Sequence, residues 1–106
     1  MIQRHWKGIA KPGEAGNYEK HLLEDTFPQL SAIKGFVKAS ILKREVENGT
    51  EFLIVTVWED MQAIKQFAGE DASVAVVPSN VREMMVAYDA SVLHYETAAV
   101  FENVNK

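Results

Sequence analysis

The side chains able to do acid–base or donor chemistry are few: 3 histidines, 3 tyrosines and 2 tryptophans, with no cysteine. Three chemistry-bearing residues fall together in SVLHYETAAVF, residues 91–101. Its alternation suits a strand, with Val92, His94, Glu96, Ala98 and Val100 facing one way and Leu93, Tyr95, Thr97, Ala99 and Phe101 the other. His94 and Glu96 then share a face and Tyr95 points away. Histidine is the natural base near neutral pH, so His94 reads either as a base or substrate hydrogen-bonder in a pocket, or as a half-buried residue bonded to Glu96 or a neighbouring strand.

The other candidates carry the same double reading. Arg4 and Trp6 share a face of the first strand; arginine and the indole N–H are suitable donors for an oxyanion. A charge on a central strand must be paired or lie in a solvated cavity, and Glu96 is the expected partner of Arg4. Trp6 is a core aromatic or a pocket wall. His21 sits one position before Leu22, at the edge of a helical apolar stripe, with Asp25 four residues on. Trp58 closes the third strand as packing or pocket wall, Arg44 in KRE reads as a solvated strand end, and Met84 and Met85 fill a helix–core gap or line an adaptable pocket.

Composition narrows the classes. The 106 residues suffice for one domain, 1–106, which at this size buries only about 60–70% of its unfolded surface, so self-association is a natural supplement. A net charge of −4, a pI near 5.3 and scattered basic residues argue against nucleic acid. No apolar run approaches a membrane span and the start MIQRHWKG has no apolar signal core, so no membrane partner and a cytoplasmic location are expected. Phosphate-loop, nucleophile-elbow, zinc and calcium motifs are missing, and neither metal nor cofactor is expected.

The elements that position these residues follow from periodicity. A first strand over 2–10 meets the breaker KPGEAGN; a helix over 14–26 carries Ala15, Tyr18 and Leu22 and is expected to end at Pro28. Strands over 35–44 and 51–58 flank a hairpin turn expected at Asn48-Gly49. Asp60 caps a helix bearing Met61, Ile64 and Phe67 and stopped by Gly69; a short helical piece from Asp71 and a helix from Ser79 or Asn80, carrying Val81, Met84 and Met85, precede the closing strand. This order gives an α+β, ferredoxin-like split βαβ fold with a four-stranded antiparallel sheet. In the third strand Phe52, Ile54 and Trp58 oppose Leu53, Val55 and Val57, so neither face is polar, and a homodimer through the open sheet face is the simplest cover.

RHWKG, YEKHL, FAGEDASVAVV and HYE together resemble the antibiotic biosynthesis monooxygenase family of dimeric α/β barrels, from Ile2 to about Glu96. The resemblance implies a homodimer and a cofactor-independent monooxygenase acting on an aromatic, quinol or polyketide-like small molecule; a non-catalytic ligand-binding or interaction dimer is the alternative. The haem-degrading branch resembles the chain least, because the first strand lacks its asparagine, the helix MQAIKQFAG lacks its tryptophan, and no histidine lies between His21 and His94. Oxygen insertion without flavin or metal needs a base, an oxyanion donor and apolar walls. The expected catalytic residues are His94, Arg4 and His21, and the expected substrate-binding residues Trp6, Trp58, Tyr95 and Met84.

Overall fold

In the computed structural model, which describes residues 1–105, strand β1 (Ile2–Ala10) is the centre of an antiparallel sheet. On one side it pairs with β3 (Gly49–Trp58), which pairs with β2 (Phe36–Val46). On the other side two short strands share one position: β4 (Met85–Tyr88) pairs with the end of β1 and β5 (Leu93–Glu96) with its start. The expected fourth strand is thus interrupted, and the closing strand ends at Glu96 rather than running to Phe101. Met85 opens β4 instead of lying in a helix.

The pleat sorts the sheet into two faces. Arg4 and Trp6 sit opposite Thr56 and Ile54 on the face covered by helices, while Gln3, His5 and Lys7 sit opposite Val57, Val55 and Leu53 on the other. Leu53 and Val55 are half-buried, and Leu42, Leu93 and Tyr95 on the same face are more than half exposed. The α+β ferredoxin-like class expected from the element order is the observed one.

The hairpin turn lies one residue earlier than expected. Glu47 and Asn48 form the two-residue turn, and Gly49, paired with Val46, starts β3. Asn48 needs no positive φ, whereas Gly49 adopts φ 154° and a Cβ there would run into the Ala10 carbonyl oxygen. Glycine is needed here for close approach of β1 to the hairpin.

Pro28 does not end the first helical segment. Helix α1 (Ala15–His21) passes into a π-helical turn over Leu22–Thr26, and α2 (Phe27–Ser31) continues through Pro28 in its first turn. A proline ring normally collides with the carbonyl four residues back. Here Phe27 N–H bonds to Leu22 C=O, and the wider i→i+5 turn restarts the helix where a missing N–H is tolerated.

Asp60 caps α3 (Met61–Ala68) by accepting from Ala63 N–H at 2.9 Å, as its position predicts. The expected helical piece from Asp71 is instead a strap, residues 69–78, that makes a single turn at Asp71–Val74 and leads into α4 (Ser79–Met84). It is tied to the last strand's approach by Val92 N–H to Ser73 C=O at 2.8 Å and Ala75 N–H to Ala90 C=O at 2.9 Å. Among the described residues no helix is long and apolar enough to cross a membrane.

Helices and sheet enclose two apolar clusters. Tyr18, Leu22, Phe52, Ile54, Val81 and Met85 form one, and Leu30, Trp58, Ala63, Ile64 and Ala72 the other, with Phe27 touching both. Gly49→Ala is expected to cost about 1–3 kcal/mol through strained φ alone, more if the Ala10 carbonyl cannot retreat, measured as a lowered midpoint in urea.

Candidate active site

Between the two clusters, at the middle of β1, lies the side chain of Arg4, only 5% exposed. Its Nη1 donates to the Ala72 carbonyl and to His94 Nε2 at 3.1 Å, and its Nη2 donates to the Val74 carbonyl at 3.1 Å. The guanidinium carbon lies 5.8 Å from the centre of the Phe67 ring. Among the described residues no carboxylate comes within ion-pair reach. The expected partner Glu96 is exposed and pairs in register with Ile2, two residues further along the ladder. Burial lowers the Arg4 pKa to about 10, which still leaves it charged at neutral pH.

Arginine can only donate, so His94 Nε2 accepts and the ring proton resides on Nδ1. The lone pair a base would use is already engaged. Partial burial, then the neighbouring Arg4 charge, depress the His94 pKa below its ordinary value. His94 therefore holds Arg4, and its imidazole does not line either cavity beside it.

Two adjoining cavities open between helices and sheet. The inner one, about 80 Å³, is walled by Arg4, Trp6, Tyr18, Phe27, Ile54 and Phe67. The outer one, about 190 Å³, shares Trp6, Tyr18, Thr26, Phe67 and Val76 with it and adds His21, Asp25 and Gln29. The π-helical turn explains this lining: Leu22, Thr26, Phe27 and Leu30 all face the sheet because the turn closes one residue late. His21 Nδ1 lies 3.8 Å from Asp25 Oδ2, and Gln29 donates to Asp25 Oδ1 at 2.8 Å. A histidine with a carboxylate 3.8 Å away thus lines the outer cavity and a guanidinium the inner one.

Trp6 walls both cavities, but its indole N–H is committed to the Asp89 carbonyl at 2.9 Å, so the ring offers a face and no donor. Its ring lies over Gly8, where a Cβ would meet Trp6 Cη2 at 2.5 Å. Tyr18, 3% exposed, packs edge-on against Phe52; its hydroxyl has no hydrogen-bond partner among the described residues, and burial pushes its pKa well above the ordinary phenol value.

The remaining sequence candidates lie elsewhere. Trp58 is fully buried in the second cluster, stacked on Phe67, with its N–H donated to Thr56 Oγ1 at 2.8 Å. Tyr95 is on the opposite sheet face against His5, and Met84 packs on the first cluster outside both cavities. Arg44 is exposed and paired with Glu51 at 2.9 Å. The residues missed from the sequence are Tyr18, Thr26, Phe27, Phe67 and the strap residue Val76. Tyr18 and Phe67 were visible as helical apolar positions, but nothing in their spacing separates a cavity wall from filled core.

The family profile for antibiotic biosynthesis monooxygenase matches residues 5–78. No curated protein is a significant match. Among solved structures, SnoaB, a cofactor-independent oxygenase from Streptomyces nogalater, superposes with a TM-score of 0.66 at 10% identity over 96% of this chain and 97% of that one. The ActVA-Orf6 monooxygenase of Streptomyces coelicolor, in complex with nanaomycin D, gives 0.61 at 14% over 96% and 92%. The heme-degrader MhuD from Mycobacterium tuberculosis gives 0.58 at 20% over 96% and 100%.

His94 titrates with a definite sign. Its folded pKa lies below the ordinary value of 6.5, so the unfolded chain binds the proton more readily and stability falls as pH drops below that value. Denaturation midpoints between pH 8 and pH 5 should decline in the wild type and decline less in His94→Gln, which keeps an acceptor for Arg4 but cannot be protonated.

Proposed function

Because the chain belongs to the antibiotic biosynthesis monooxygenase family, we propose that it is a cytoplasmic, single-domain, homodimeric monooxygenase. Its substrate is a flat aromatic, quinol or polyketide-like molecule, oxidised in the cleft between helices and sheet. The observation that carries this reading is the apolar, aromatic-walled cleft with Arg4 at its inner end and the His21–Asp25 pair at its mouth.

The geometry supports a division of labour. His21, beside Asp25, removes a proton from the substrate, and Arg4 holds the negative charge on its oxygen. Trp6, Phe27 and Phe67 hold the ring plane and keep water out. The deprotonated substrate is electron-rich enough to reduce oxygen itself. In an anthrone-type reaction the substrate supplies four electrons; one oxygen atom becomes a ring carbonyl, and the other leaves as water with the two hydrogens the carbon gives up. His94 acts as a positioning residue, fixing Arg4 by accepting one of its N–H groups.

The dimer is read from the second sheet face. Leu42, Leu53, Val55, Leu93 and Tyr95 form an apolar band with His5, Gln3 and Lys7 among them, which a second copy would cover.

Oxygen uptake with anthrones, quinols and polyphenols tests the chemistry. We expect turnover above the uncatalysed rate, a loss of about 100-fold in His21→Gln, and most of the rate retained in His94→Gln. Equal loss in both variants would return the base to His94, and no uptake by any substrate would leave a ligand-binding dimer. Sedimentation tests the assembly: Leu53→Lys with Val55→Lys should yield a folded monomer where the wild type is a dimer.

A further inference from the structure

A buried cation is normally matched by an anion or released to water. Arg4 has no anion beside it among the described residues: it is 5% exposed and its partners are two backbone carbonyls and a neutral imidazole. Three of its five N–H groups are engaged by those bonds, which leaves two with no partner among the described residues. The side chain itself forms part of the inner cavity wall, whose other surfaces are almost entirely aromatic or aliphatic. Among the described residues the counter-charge is therefore missing at the wall of the inner cavity.

We propose that the cleft takes an aromatic molecule that already carries a negative charge before it binds, a carboxylate or similarly acidic oxygen, seated anion first against Arg4. This deepens the proposed function by naming its substrate class, and rests on the same cleft being the ligand site. The rest of the cleft agrees with that orientation. Asp25 at the mouth places a carboxylate at the far end, so an anionic group is favoured inward and disfavoured outward, and the opposite edge of the ligand comes to His21. Phe67, lying against the guanidinium, and Trp6 supply flat walls for a ring rather than an aliphatic chain. Arg4 remains protonated well above neutral pH, since burial lowers its pKa only to about 10.

The strap gives the occupied state a structural consequence. The Ala72 and Val74 carbonyls already hold two guanidinium N–H groups, so an anion reaching the remaining ones would bind Arg4 without displacing the strap.

Calorimetric titration of the wild-type protein with 2-naphthoate and with 2-naphthamide compares two ligands of matching outline that differ in charge. We expect the carboxylate to bind about 10-fold or more tightly than the amide, the usual advantage of a hydrogen bond to a charged group. The difference should vanish in Arg4→Gln, and 2-naphthoate should shift the Arg4 Nε–H resonance in the wild-type spectrum. The two wild-type titrations need no variant, so a misfolded Arg4→Gln does not cloud them. Equal affinities, tighter binding of the amide, or binding of neither would overturn the proposal. Carboxylate-selective binding with no oxygen uptake from any substrate would uphold the anion site while removing the oxygenase.

Discussion

The burial of one guanidinium organises this molecule. Arg4 lies between Ile2, which packs on one apolar cluster, and Trp6, which packs on the other. A charge at that point cannot be surrounded by hydrocarbon, so the core divides around it and the strap over residues 69–78 folds inward to present carbonyls. The cleft is the seam left by that division. The same contacts hold the strap out of a helix: the Ala72 and Val74 carbonyls serve Arg4, and the Ser73 carbonyl and Ala75 N–H bond to the approach to β5, so none of these is free for a helical ladder.

The local elements were largely readable from the sequence because each is set by short-range rules. The Asp60 cap, the two-faced β3 and the hairpin follow from residue type and period. What failed were places where two rules compete. Pro28 forbids a regular helix, yet the π-helical turn before it offers a solution that a proline-as-terminator rule does not contain. Asn48-Gly49 favours one hairpin turn, but Gly49 is needed for its approach to Ala10, and the turn moves back by one residue. Met85 has a helical neighbourhood and is taken into β4 by pairing with Ala10.

The candidate site was legible in its charged members and hidden in its neutral ones. Arg4 and His21 stand out because their residue types need a reason. The pairing of Arg4 with His94 rather than Glu96 depends on a register of directly opposed residues, which period-two alternation cannot supply. The decisive acceptors at Ala72 and Val74 are backbone atoms, on which no side-chain pattern reports. His94 Nε2 is occupied by an Arg4 N–H, and the proposed supporting role rests on that contact.

The interruption of the sheet between β4 and β5 has a bearing on how the chain behaves in crowded solution. Each of these edge strands is only 4 residues long, and the chain leaves the ladder between them, where Trp6 holds the Asp89 carbonyl. A foreign strand finds no continuous row of backbone donors there to extend. The opposite edge, β2, is long, but Lys38, Lys43, Arg44 and Glu45 mark it with charge. Both borders are thus poor templates for uncontrolled strand addition, which steers a chain with an apolar sheet face away from fibrous aggregation.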